Sequence, residues 1–253
     1  MARIDAAKVW SLNYRLLSRH LGDQQPFYGL QARGLGGNET PHASVEEMAA
    51  GYIHEMKQEQ PRGPYVLGGA SSGGLVAYEM AQQLHAAGER VSTLMMLDTY
   101  LVGVKPARVL QALAASPLHR YGMLLDFHLG HLLLRTPREG MAYLAERVRA
   151  RFGGVAGPIA KAIEAATPAV RHVIESNLRA VSVYVPRPYP GTAVMLLSRD
   201  EPDRAFYDGR LAWADLLEEG MVLRFIPGSH ENMLDEPQVA GVAAVIARCL
   251  DGP

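Results

Sequence analysis

The sequence predicts an α/β fold with a mostly parallel β-sheet flanked by helices. Short apolar runs typical of strands alternate with longer segments of helical periodicity through most of the chain. A glycine-rich turn around one serine, Gly69-Ala70-Ser71-Ser72-Gly73, joins one apolar run directly to a helical segment. Since 253 residues suffice for one sizeable core, we expect a single domain over residues 1–253.

Five apolar runs have the length and composition of strands. They are residues 26–31, 65–67, 91–98, 194–198 and 221–226. The run at 91–98 is apolar on both faces, as expected for a parallel strand covered by helices. Five segments around these runs have helical periodicity, namely residues 10–21, 44–60, 72–87, 211–219 and 236–250. Ser44 and Glu47 have the spacing of a capping box, which predicts that the second helix begins there.

Residues 101–185 interrupt the alternation, because they contain helical segments and no convincing strand. The helical segments are residues 106–115, 118–135, 138–152, 157–165 and 168–184. We expect this insertion to form a helical lid over the sheet edge. Its apolar residues either line a channel for an acyl chain or pack the lid onto the body; they include Leu124, Leu125, Phe127, Leu129, Leu132 and Leu133.

Composition excludes several classes of function. A net charge of −1 gives no support for nucleic-acid binding. The apolar runs are too short to span a bilayer, and the N-terminus has no apolar signal-peptide core. The single cysteine, Cys249, excludes an internal disulfide and a multi-cysteine zinc site. We therefore expect a cytoplasmic protein without a membrane partner.

The turn around Ser71 has the pattern of a nucleophile elbow, G-x-S-x-G between a strand and a helix. Such a turn holds the serine in a strained conformation, and we expect Gly69 and Gly73, with Ala70 and Gly74 beside them, to remove side chains that would collide there. The helix that begins near Ser72 directs backbone N–H groups toward the serine, which suits a developing oxyanion. Ser71 is thus the candidate nucleophile. The alternative is a tightly packed turn without catalytic function.

A serine nucleophile requires a base, and His230 is the candidate because it follows the last predicted strand. In hydrolases with such an elbow the order along the chain is serine, acid, histidine. His230 is the single histidine after the predicted lid. His128 and His131 lie three residues apart on one predicted lid helix, but no third ligand supports a metal site there.

Two carboxylates are candidates for the acid that orients His230. Asp98 ends the strand that follows the elbow helix, and Asp200 follows the strand after the lid. Both strand ends lie at the carboxyl edge of the predicted sheet. The physical chemistry of the sequence leaves the choice open.

Several stretches, taken together and in order, resemble the thioesterase domain that ends nonribosomal peptide and polyketide synthases, within the α/β-hydrolase superfamily. They are residues 14–21, 28–32, 69–80, 97–100 and 227–230. The resemblance implies the α/β-hydrolase fold with a helical lid insertion. In the synthase-terminal branch the acid corresponds to Asp98, whereas in stand-alone editing thioesterases it lies near Asp200. We choose Asp98 on this resemblance.

The resemblance also implies a reaction and a partner. Ser71 would accept an acyl or peptidyl chain from the phosphopantetheine thioester of a carrier protein, and the protein itself would bind no cofactor or metal. Water would release an acid, and a hydroxyl or amine within the chain would give a macrocycle. Two other functions stay open, a general carboxylesterase acting on free esters and a non-catalytic hydrolase-like scaffold.

The N-terminus departs from the family pattern. Family members begin with an apolar strand and a glycine-containing turn that supplies the second oxyanion N–H. This chain has no glycine among its first nine residues. The first donor is expected at the Ser72 backbone, and the second is expected from the backbone around Ala7 unless the chain is truncated or altered. If the strand is absent, a position in the sheet is empty and backbone groups stay unpaired.

Overall fold

The computed structural model of the protein describes residues 14–101, 166–199, 213 and 215–250. The elements are α1 (Tyr14–Leu21), α2 (Val45–Glu59), β1 (Tyr65–Ala70), α3 (Ser72–Ala86), β2 (Val91–Leu97), α4 (Pro168–Val183), β3 (Ala193–Ser198), β4 (Met221–Ile226) and α5 (Gln238–Leu250). The four strands form one parallel sheet in the order β1-β2-β3-β4. The predicted α/β architecture is confirmed, and all four carboxyl ends lie at one edge.

Helices cover both faces of this sheet. Leu94 and Met96 of β2 pack on the α2 and α3 side, whereas Met95 and Leu97 pack on the α1 and α5 side. Side chains of a strand point alternately to opposite faces, so this division follows from the strand period. The continuous apolar run in β2 is therefore explained by burial on two faces.

The predicted capping box at the start of α2 forms with one difference, because Glu47 binds the N–H of Ala43, one residue before the N-cap Ser44. The Ser44 hydroxyl accepts a hydrogen bond from the Glu47 N–H (3.1 Å), and the Glu47 carboxylate accepts one from the Ala43 N–H (2.8 Å). Both N–H groups precede the first intrahelical bonds, so the two side chains satisfy donors that would otherwise lack a partner.

A buried carboxylate links α3 to the chain that leaves α4. Glu79 is 2% exposed and accepts hydrogen bonds from the Tyr184 hydroxyl (2.8 Å) and the Gln83 amide (3.0 Å). Arg187 lies 3.9 Å from the same carboxylate. Burial and the neighbouring Glu79 raise the pKa of Tyr184, so the phenol stays protonated and donates. This network fixes where the chain returns from the predicted lid to the sheet.

The strand predicted at 26–31 is wrong, and the helix predicted over 211–219 ends earlier than expected. Residues 26–31 form no strand and join no ladder among the described residues; together with β1 they line a groove of ≈ 350 Å³. A segment of strand-like composition forms a strand only when it pairs with a neighbouring strand. Here the groove separates residues 26–31 from β1, so these two segments do not pair. The helix predicted over 211–219 does not reach Glu219, because Leu217 pairs with Tyr189 and the Glu218 N–H donates to the Tyr189 carbonyl.

The predicted lid is described only at its ends. The helix expected at 168–184 is present as α4, whereas residues 102–165, with His128 and His131, lie outside the described residues. Among the described helices, none combines the length and hydropathy needed to cross a bilayer.

We expect Tyr184→Phe to lower the free energy of unfolding by about 1–3 kcal/mol, because the buried Glu79 carboxylate loses a donor at 2.8 Å. Urea unfolding monitored by circular dichroism measures the change. Tyr28→Phe is the matched control, because Tyr28 is 60% exposed and its substitution should change little. Equal effects of the two substitutions would contradict the role assigned to Tyr184.

Candidate active site

Ser71 occupies the turn between β1 and α3 in a conformation that is rare for a residue with a side chain. Its φ is 54° and its ψ is −124°. The Ser71 N–H donates to the Leu97 carbonyl (2.8 Å), so the turn is tied to the end of β2. Its side chain does not cap α3. The hydroxyl is therefore not used to satisfy the helix, and Ser72 provides one of the first helical N–H groups beside it.

Close packing explains two of the glycines around this turn. A Cβ on Gly69 would lie 2.6 Å from the Gly74 nitrogen and overlap the Gly73 carbonyl. A Cβ on Gly74 would overlap the side chain of Thr99. At Gly73 the nearest atom is the Tyr14 hydroxyl at 3.8 Å, which is ordinary contact. The expected collision is therefore confirmed at Gly69 and Gly74 and wrong at Gly73.

Tyr14 supports the last residue of β1 from the side opposite β2. Its hydroxyl accepts a hydrogen bond from the Ala70 N–H at 3.0 Å. Burial raises the pKa of Tyr14, which keeps the hydroxyl neutral. The residue before Ser71 is thus held by a side chain, in a position where a neighbouring strand would otherwise supply a carbonyl.

Asp98 follows β2 directly and is fully buried, with 0% exposure and a φ of 44°. Its Oδ1 accepts hydrogen bonds from the Ser198 N–H (2.9 Å) and the Tyr100 hydroxyl (3.2 Å). Its Oδ2 accepts one from the Ser198 hydroxyl (2.5 Å). Such donors stabilise the ionised form of a buried carboxylate.

His230 lies in the loop after β4, which a tight turn brings back toward the sheet. Gly228 has a φ of 87°, and a Cβ there would lie 2.6 Å from the Asn232 side-chain oxygen. That oxygen accepts the Ser229 N–H (2.8 Å). The His230 Nδ1 lies 3.6 Å from the Asp98 Oδ2, and its side chain is 28% exposed. The ring therefore has one nitrogen toward the buried acid and a partly accessible face.

The structure brings three of the predicted site residues to one sheet edge. Ala70 pairs with Leu97 in the sheet, so Ser71 and Asp98 follow neighbouring strand positions. The second candidate acid, Asp200, and the Ala7 region expected to supply a second oxyanion donor lie outside the described residues. Within the described ranges, no group of three or more histidine, cysteine or acidic residues is arranged to hold a metal ion.

Ser198 is a site residue that the sequence did not reveal. It contacts both oxygens of Asp98, although 100 positions separate the two residues. The one available signal was its place at the end of β3, two positions before the alternative acid Asp200.

Comparison with known proteins identifies a family model that matches most of the chain. The family model described as the thioesterase domain matches residues 7–249. A dimodular nonribosomal peptide synthase of Bacillus subtilis (strain 168) is 48% identical over 87 residues, which are 34% of this chain and 4% of that protein. A non-reducing polyketide synthase, atnG, of Arthrinium sp is 28% identical over 233 residues, which are 81% of this chain and 10% of that protein. The chain thus spans a small part of these relatives.

A solved structure supports the same assignment of fold. The NocB thioesterase domain, in covalent complex with a fluorophosphonate nocardicin G analogue, superposes with a TM-score of 0.56 at 26% identity. The match covers 87% of this chain and 81% of that one. The α/β-hydrolase fold expected from the sequence is confirmed for the sheet and its flanking helices.

The glycines at the turn offer a matched test of the steric argument. We expect Gly69→Ala to lower the free energy of unfolding by about 3 kcal/mol, because its Cβ would displace the first turn of α3. Gly73→Ala should stay within about 1 kcal/mol of the parent protein, since space exists and alanine favours a helix. Chemical denaturation measures both. Equal losses at the two positions would contradict the geometry.

Proposed function

Because the chain belongs to the thioesterase domain family, we propose that it is a serine thioesterase with Ser71 as nucleophile, His230 as general base and Asp98 as the acid that orients His230. The observation that most supports this assignment is the distance of 3.6 Å between the His230 Nδ1 and a buried Asp98 oxygen, at the edge where the Ser71 turn lies. The order of the three residues along the chain agrees with that of α/β-hydrolases.

In the proposed first step, the Ser71 oxygen attacks the carbonyl carbon of a thioester and the carbon–sulfur bond breaks. With Nδ1 of His230 toward Asp98, Nε2 is the nitrogen available to take the serine proton. That proton passes to the sulfur, which leaves as a thiol. The acyl group remains on Ser71 as an ester.

In the second step, His230 removes a proton from the incoming nucleophile, which attacks the Ser71 ester. Water gives a free acid, and a hydroxyl or amine of the acyl chain gives a macrocycle. Ser71 recovers its proton from the imidazolium. The Asp98 charge stabilises that imidazolium in both steps, and its burial strengthens the interaction.

The negative oxygen of each tetrahedral intermediate needs donors. We assign one to the Ser72 N–H, because Ser72 is the first residue of α3 and its amide belongs to the helix end that carries partial positive charge. The second donor is proposed to come from the backbone near Ala7.

The proposed substrate carrier is the phosphopantetheine arm of an acyl or peptidyl carrier protein. Similarity to parts of a nonribosomal peptide synthase and a polyketide synthase supports this proposal. A free ester would offer the enzyme only its acyl portion, whereas a carrier-bound thioester adds binding energy remote from the reacting carbon.

Labelling with a fluorophosphonate tests the nucleophile. We expect one covalent adduct on the wild-type protein by intact mass and none on Ser71→Ala. His230→Ala should label at least about a hundredfold more slowly, because the serine loses its base. Ser182→Ala, at an exposed serine of α4, should label at the wild-type rate. Absence of an adduct on folded wild-type protein would favour the non-catalytic scaffold.

A pair of substrates tests the acyl carrier. We expect kcat/KM for an acyl chain on a phosphopantetheinylated carrier protein to exceed that for the methyl ester of the same acid by about a hundredfold or more. Ser71→Ala provides the blank rate for both substrates. Equal values would favour a general carboxylesterase. Mass spectrometry of the product then distinguishes hydrolysis from ring closure.

A further inference from the structure

The end of β3 contributes hydrogen-bond donors where the sequence suggested an acid. The Ser198 N–H and hydroxyl bind different oxygens of Asp98, at 2.9 Å and 2.5 Å. Two donors from one residue, one on each oxygen, define the plane of the carboxylate more tightly than a single bond does. The backbone donor is set by the strand, but the hydroxyl depends on residue 198 being serine or threonine.

The Ser198 hydroxyl donates to the Asp98 oxygen that lies toward the His230 ring. Oδ1 of Asp98 receives the Ser198 N–H and the Tyr100 hydroxyl. Oδ2 receives the Ser198 hydroxyl and lies 3.6 Å from the His230 Nδ1. Loss of the hydroxyl would therefore remove a donor from the oxygen that faces the imidazole.

Resting on the proposed function of Ser71, Asp98 and His230, we propose that Ser198 is a positioning residue whose hydroxyl holds Asp98 Oδ2 toward His230 and keeps the buried carboxylate ionised. Ser198 touches no reacting atom in this role and acts through Asp98. It adds β3 as a fourth strand to the proposed machinery, since β1 leads to Ser71, β2 to Asp98 and β4 to His230.

Loss of the Ser198 hydroxyl should change how the rate of the proposed reaction depends on pH. The titratable side chains that face Asp98 include Tyr100, from the segment after β2, and His230, from the loop after β4. Removing the Ser198 hydroxyl takes a donor away from the Asp98 oxygen that faces His230, so the carboxylate interacts more strongly with the imidazolium that forms there. Because a protonated His230 cannot act as base, the acid limb of the pH–rate profile should move to higher pH.

The experiment measures the rate of fluorophosphonate labelling of Ser71 as a function of pH. We expect Ser198→Ala to slow labelling about tenfold at neutral pH and to shift the acid limb upward. Ser198→Thr keeps the hydroxyl and should restore both values. The control is Ser92→Ala, which removes a strand hydroxyl bonded to the Tyr65 carbonyl (3.1 Å) at the amino end of the sheet.

A double-mutant cycle separates positioning from general stability. If Ser198 acts through Asp98, adding Ser198→Ala to Asp98→Asn should change the labelling rate by less than about twofold, whereas independent effects would multiply. Melting temperatures of all variants are measured alongside. A multiplicative effect, or a loss of rate that follows the melting temperature equally in Ser198→Ala and Ser92→Ala, would overturn the proposal.

The labelling experiments distinguish failure of the proposed function from failure of the role of Ser198. Absence of labelling in the folded wild-type protein rejects the proposed function. Wild-type labelling that Ser198→Ala leaves unchanged in rate and pH dependence rejects the role of Ser198 alone.

Discussion

The buried carboxylate of Asp98 is the constraint on which the arrangement at the sheet edge depends. A carboxylate without solvent exposure is stable only when donors or cations face it. The register of β2 against β3 meets this demand, because the Asp98 N–H donates to the Leu196 carbonyl (2.8 Å) and Ser198 then lies level with the carboxylate. Ser198 in turn pairs with Ile226, at the start of the chain that leads to His230. A change of register in β3 would therefore disturb the charge of the acid and the position of the histidine together.

Backbone strain at the same edge is maintained by packing around it. Ser71 and Asp98 are the two described non-glycine residues with positive φ, at 54° and 44°. Such conformations persist only where neighbouring contacts determine them, and each costs about 1–3 kcal/mol. Thr99 is fully buried against Gly74, and its carbonyl accepts the Trp213 indole N–H at 3.1 Å. The large apolar core beside Trp213 thus stabilises the turn after β2, and through Gly74 the turn that carries Ser71.

The sequence predicts what local chemistry determines and misses what depends on distant pairing. The Ser71 turn is recognisable because its glycines lie at set offsets within one strand–turn–helix unit, and β4 was predicted with its bounds at 221–226. Ser198 could not be found in this way, because its role depends on the register between strands separated by the whole lid insertion. The choice of Asp98 rested on resemblance for the same reason. The run at 26–31 has a strand-like composition, but composition does not reveal whether a partner strand lies beside it.

The position of β1 limits how Ser71, the proposed nucleophile, can be held. Among the described strands β1 pairs only with β2, and alternate residues of a strand direct their backbone groups to opposite sides. The Ser71 N–H points to β2, whereas the Ala70 N–H points away from β2 to Tyr14. Gly68 and Val66 lie two and four positions before Ala70, so their N–H groups also point away from β2, to the groove side. Val66 is 51% exposed in that groove. The described chain therefore supports Ser71 through β2, α3 and the Tyr14 hydroxyl. Rigidity at Ser71 then depends most on the contacts that Gly69 and Gly74 permit, because these bring strand and helix together on the supported side.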